Sequence, residues 1–266
     1  MTLNVVRSEL VRLRRPRMLV AWFGLMALFA VMINTVMFST VGNGQALPPG
    51  APGVVFPDAA TLSTSHGLVS GLAAASSMFG VVTLSFWAVA AATDYSSGLI
   101  RLLVAAHPHR WRLLLGKAIA LVIVTAVATF VALVVNVLVA VPAAKQAGIS
   151  TTAWGTDVLP TLAAAWLNSF AALCVWGFLG LALAVLTRSS AVAISVGVGY
   201  VLVVESVIKM AASHSSDWLL GSTLTALANG GNTALTYPAA AALGLAYVVA
   251  GLLLATVVFT RRDVTD

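Results

Sequence analysis

The sequence predicts an all-α polytopic membrane protein with six transmembrane helices, and three observations carry that expectation. Hydrophobic residues make up 60% of the 266, and the mean hydropathy of +1.01 is too high for a surface that faces water. The apolar residues gather into six runs of roughly the 20 residues a bilayer core requires, where backbone groups must be satisfied inside a helix. The charges are only 8% of the chain and sit mainly at the ends of those runs. A net charge of +6 without interleaved exposed aromatics therefore reads as a topology signal and not as a nucleic-acid surface.

Residues 1–17 come first. Leu3, Val6, Leu10 and Leu13 fall within an arc of about 80° on a helix, with Arg12 and Arg15 roughly opposite, which predicts an amphipathic interfacial helix that Pro16 breaks. The first apolar run, Met18 to Phe38, is longer than a signal-peptide core and lacks a small-x-small cleavage site, so it is expected to be a retained span. The following spans are expected at His66 to Ala92, Leu113 to Val141, Leu159 to Leu186, Ala191 to Ile208 and Pro238 to Phe259, within one six-span domain, 18–266. The second, at about 1.5 Å per residue, would reach roughly 40 Å and so tilt or project. Gly42 to Pro57 is Gly/Pro-rich and reads as an irregular loop. In the outer loop 209–237, WLLGSTLTALA (Trp218 to Ala228) is apolar but too short to cross, which predicts short outer helices ended by Asn229, Gly230 and Gly231.

Orientation follows from the cations. With the N-terminus in the cytoplasm, that side holds Arg7, Arg12, Arg14, Arg15, Arg17, Arg101, Arg110, Arg112, Lys117, Arg188, Arg261 and Arg262, and only Lys145 and Lys209 lie outside. Both termini, including the tail 260–266, are therefore expected to be cytoplasmic. Eleven arginines against three lysines, beside abundant Ala, Val and Gly, is a codon signature of a GC-rich bacterial genome and suggests the bacterial inner membrane.

Chemistry is sparse. The Gly116–Lys117 pair is followed by Ala118 and has Trp111 where a phosphate-binding loop needs its first glycine, so no ATP site of that kind is present. There is no HExxH pair, no Gly-x-Ser-x-Gly elbow and no paired-carboxylate motif, and the chain is not expected to be an enzyme. His107 and His109 flank Pro108 without a carboxylate or thiolate nearby, and Cys174 is the only cysteine, so neither metal nor disulfide is expected. Polar residues inside spans are the functional candidates. Glu205 stands late in the fifth span with Lys209 one turn on, as a structural pair or as a group that handles substrate or protons. Asn34, Asn136 and Asn168 are expected to bond neighbouring helices.

The segment DYSSGLIRLLVAAHPHR, Asp94 to Arg110, lies in the long cytoplasmic loop 93–112. Leu99, Leu102, Leu103 and Ala106 recur at helical spacing, so Ser96 or Ser97 can cap a short amphipathic helix that Pro108 stops. A greasy face rimmed by Arg101, with Arg110 and Arg112 after the stop, has the form of a docking knob; a loop that merely obeys topology is the plain alternative. At Asp94, Gly98, Ile100, Leu102, Leu103, Pro108, Arg110, Gly116 and Lys117 the chain resembles the permease subunits of ABC-2 type transporters, departing in having Asp94 for Glu and Leu99 for Thr or Ser. The likeness extends to the interfacial helix, six spans, outer helices and the terminal FTRRDV.

The resemblance implies a permease that pairs with a second copy or a close relative, and with two cytoplasmic ABC ATPase subunits that hold the ATP and Mg. Asp94, Gly98, Leu99, Arg101, Leu102, Leu103, Pro108 and Arg110 would then contact the ATPase through a coupling helix. Membrane lipids are the remaining partner, and no cofactor is expected on this chain. Spans poor in polar groups favour an apolar or amphipathic compound such as a drug, peptide or lipid, and the resemblance implies its export. An ion-coupled secondary transporter and a non-transporting membrane scaffold are the alternatives.

Overall fold

The computed structural model describes residues 2–14, 16–44, 56–96, 110–211 and 216–261. No strand occurs among them, and six helices are long and apolar enough to cross a membrane. The chain is a multi-pass membrane protein. Its spans are Pro16–Gly42, Ser76–Ser96, Arg110–Gln146, Val158–Thr187, Ser190–Ala211 and Tyr237–Arg261.

The N-terminal helix, Thr2–Leu13, packs its Leu13 side into the core against the start of span 3. As its sequence position suggested, Pro16 stands just past the end of that helix. It opens span 1 as the first helical residue, where a fixed φ and a missing N–H are both tolerated.

Spans 2 and 3 differ most from their expected bounds, each for a physical reason. Span 2 was expected from His66 but begins at Ser76, because residues 65–75 break into a 3₁₀ turn, Ser65–Val69, and a single helical turn, Ser70–Ala74. Carbonyls freed by the irregular backbone are taken by side chains from other elements. Asn136 Nδ2 donates to Leu68 O at 2.9 Å and Trp154 Nε1 donates to Leu62 O at 2.9 Å, so the break leaves these groups satisfied. Asp58 caps the turn before it, Ala59–Leu62, and the hydrogen bonds from Thr61 hold its carboxyl below the ordinary value. Span 3 was expected to end at Val141 yet continues through Pro142 to Gln146, close enough to its end that the missing N–H disturbs only the last turns. Its 37 residues make it the longest of the described spans, at about 55 Å, whereas span 2, at 21, is close to the length a bilayer needs.

Spans 2 and 4 form the centre. Their contact is reciprocal: a Cβ at Gly80 would stand 2.3 Å from the Trp176 indole, one at Gly177 would stand 2.4 Å from the Trp87 indole, and one at Gly180 would stand 2.3 Å from the Leu84 carbonyl. Each helix thus offers a glycine to the other's tryptophan, which lets the two backbones approach where hydrophobic drive between helices is absent. Trp87 also donates to Thr125 Oγ1 at 3.0 Å and so ties span 3 to the pair. Spans 1, 5 and 6 lie outside and turn residues such as Val20, Leu28, Val203, Leu245 and Leu253 to the surface, as lipid contact requires.

This packing gives a matched test. Gly177→Ala is expected to destabilise the purified chain by about 1–3 kcal/mol, read as a lower thermal midpoint, because the new methyl meets an indole that cannot yield. Gly24→Ala meets nothing within 4 Å and should leave the midpoint unchanged or slightly raised.

Candidate functional site

The ends of the segment that joins spans 2 and 3 are built from charge. Asp94 closes span 2, Lys117 stands two turns into span 3, and Glu9 and Arg12 lie one turn apart on the N-terminal helix. Lys117 Nζ is 2.7 Å from Asp94 Oδ2 and 3.2 Å from Glu9 Oε2, and it donates to Ala90 O at 3.1 Å. Arg12 spans the other side, with one guanidinium nitrogen on Glu9 Oε1 and another on Asp94 Oδ1. Two acids and two bases therefore alternate around a closed, neutral ring. Glu9, Asp94 and Lys117 are all buried, so the ring is screened from solvent, and Arg12 forms its half-exposed rim. The ammonium also lies at the carbonyl end of span 2, where the helix dipole favours a cation.

A second polar cluster stands at the opposite end of the bundle. A π-helical turn, Tyr200–Val204, interrupts span 5 immediately before Glu205. The Glu205 carboxylate is 2% exposed and accepts from Gly221 N at 2.8 Å, Ser222 N at 2.9 Å and Ser222 Oγ at 3.3 Å, while Lys209 Nζ lies 2.8 Å away. It thus supplies, from another helix, the N-terminal cap of Leu220–Ala228. Gly221 is required by this contact, since a Cβ there would fall 2.6 Å from the carboxylate. Gly230 and Gly231, with φ of +77° and +104°, then end the helix at the turn expected for it.

The amides divide. Asn34 Nδ2 donates to Asn136 Oδ1 at 2.8 Å and to Ala30 O at 2.8 Å, joining spans 1 and 3, and Gly71 approaches closely enough to leave no room for a side chain. Asn168 does not join helices. It lines a cavity of about 680 Å³ at the Glu205 end, between span 4, the 57–74 segment and the turn after Ala228.

Asp94, expected to touch a partner, is instead turned inward with both oxygens engaged. Gly98, Leu99, Arg101, Leu102, Leu103 and Pro108 lie outside the described residues, as does the Arg110 side chain, although Arg110 opens the span 3 helix. Of the ring's other members, Arg12 reads in the sequence as part of a polar face, Lys117 as a topology signal and as part of the Gly116–Lys117 pair in the ABC-2 resemblance, and Glu9 carries no expectation. Glu9 is the sole acid before Asp58 and stands three residues from Arg12, and that spacing was the available signal. No group of three or more metal-ligating side chains occurs among the described residues.

A family model described as a protein of unknown function, DUF2705, matches residues 25–265, nearly the whole chain. The chain belongs to the DUF2705 family. The match runs from within span 1 to the C-terminal tail, so it includes Asp94, Lys117 and Glu205 and leaves out the N-terminal helix with Glu9 and Arg12. A comparison with curated proteins finds no match.

For this DUF2705 member the ring makes a sharp expectation. Lys117→Met leaves two buried carboxylates with a single guanidinium and should cost about 3–5 kcal/mol, read as a drop in the thermal midpoint of the purified chain. Lys145→Met, at an exposed lysine of the other end, should not move it. Glu205→Ala is expected to free the Leu220–Ala228 helix, raising amide exchange at Gly221 and Ser222 at least about tenfold.

Proposed function

We propose that this chain is the transmembrane permease subunit of an ATP-driven ABC-2 type exporter, acting with separate cytoplasmic ATPase subunits and a second permease copy. One observation carries the reading: the ring of Glu9, Arg12, Asp94 and Lys117 grips both ends of the connection between spans 2 and 3 and fastens them to the N-terminal helix. A push on that connection would be delivered through Asp94 and Lys117 to two spans and one interfacial helix as a single body, which is what a handle for a separate motor requires. Asp94 and Lys117 are then positioning residues, and Leu99, Arg101, Leu102, Leu103 and Arg110 are the contacts to the ATPase.

In this reading the ring faces the cytoplasm, with both termini on that side of a bacterial inner membrane. The clustering of cations around the same end supports that orientation. The cargo is an apolar or amphipathic compound, and ATP and Mg reside on the partner. An ion-coupled carrier would need a carboxylate near the membrane centre that is free to load and release. Glu205 is committed to a helix N-terminus and a lysine near the end of its span, which favours the motor-driven reading.

Affinity purification from the native membrane should bring down an ATPase with a Walker motif, and reconstitution of the pair should give ATP hydrolysis stimulated by the permease. Leu102→Asp and Gly98→Pro should leave membrane insertion and the thermal midpoint intact while abolishing the stimulation. Normal stimulation in both variants, or the lack of any co-purifying ATPase, would overturn the proposal.

A further inference from the structure

The cavity beside Asn168 has the features of a binding site and has no role in the coupling described above. Its volume of about 680 Å³ lies within the range of small-molecule sites. Two adjacent polar groups on span 4 are left without partners there. Asn168 makes no hydrogen bond to any described residue, and Ser169, 3% exposed, has a hydroxyl with none either. Ser76, Thr83 and Thr223 also carry buried hydroxyls without a partner, but of these four only Ser169 lines the cavity. The buried Ser169 hydroxyl is costly to leave unpaired, and with the half-buried Asn168 carboxamide beside it forms an anchor for something that brings its own hydrogen bonds.

The rest of the lining narrows the chemistry. Among the described residues no acid, lysine or arginine faces the cavity, and His66, exposed, is the one titratable residue. A charged ligand would find no counter-charge, so the ligand is neutral. No phenyl, phenol or indole ring of the described residues lines it, which removes the flat surface that a nucleobase would stack on. The apolar share comes mainly from small side chains such as Ala73, Ala164, Ala165 and Ala228. Small apolar side groups beside a carboxamide, which offers a donor and an acceptor in one plane, match a chain of peptide amides with small substituents.

We propose that this cavity binds an uncharged, peptide-like ligand, with the Asn168 carboxamide pairing with a ligand amide and the Ser169 hydroxyl taking a further hydrogen bond from the same backbone. The site is lined by residues of this chain and does not rest on an ATPase partner.

The test uses the full chain in lipid nanodiscs and a tritiated tetrapeptide of alanine and serine, acetylated at its N-terminus and amidated at its C-terminus. Saturable binding is expected, weakened at least about tenfold by Asn168→Leu and by leaving the peptide termini free and charged, and several-fold by Ser169→Ala. Thermal midpoints within a few degrees of the native chain identify variants that fold, and Asn168→Ala is the alternative should Asn168→Leu not fold. Lack of saturable binding by the capped peptide, equal binding in Asn168→Leu or its substitute, or tighter binding of the charged peptide would each overturn the assignment. So would preference for a neutral disaccharide over the capped peptide. Because binding is read without nucleotide or ATPase, a negative result leaves the coupling reading standing, and failure of coupling leaves this site intact.

Discussion

A closed ring of two carboxylates and two cations, held at the boundary of an apolar bundle, is the constraint on which the rest of this structure depends. Each of its charges is expensive to remove from water by itself, and the expense is recovered only when all four are in register. Glu9, Arg12, Asp94 and Lys117 come from three helices, so the ring forms only when the N-terminal helix, the end of span 2 and the start of span 3 have already met. Its energetic value is therefore less the net strength of any pair than the penalty it sets on any other arrangement of those three elements.

The two ends of the bundle are built on different principles. At the ring end, the described helices are joined by charge. At the Glu205 end, the backbone is irregular: span 2 is preceded by a broken stretch, span 5 carries a π-helical turn, and a helix too short to cross is held by a carboxylate from its neighbour. Irregular backbone in an apolar surrounding is tolerated where side chains replace the lost ladder, and Asn136, Trp154 and Glu205 do so here. Between the ends, the glycine and tryptophan exchange between spans 2 and 4 makes a stiff centre with little slack. Such a body transmits displacement better than it absorbs it.

Much of the fold was legible because it follows from local composition. Six apolar runs become six helices, the Leu13 face of the first segment is buried, and Trp218 to Ala228 yields a short helix that stops at Asn229 and Gly230. The Glu205 and Lys209 contact was readable from a four-residue spacing, and the bond between Asn34 and Asn136 from the general need of an amide in a span to find another helix. The features that escaped are those that depend on distant partners. Nothing near His66 indicates that a helix should break there, because the groups that make the break tolerable are Asn136 and Trp154. Glu9 is one acid in a basic segment until Lys117, more than a hundred residues on, is set beside it. Asp94 was noticed for its place in a motif, and its inward orientation required knowledge of Arg12.

The pinning of the N-terminal helix by the ring can be measured as a distance. Spin labels at Val11→Cys and Leu115→Cys, both exposed positions, in a Cys174→Ser background report the separation of that helix from span 3 by pulsed electron resonance. A single narrow distribution that broadens when Asp94→Asn is added is the result this account requires. A distribution already broad in the native ring, or one that Asp94→Asn leaves unchanged, would contradict it.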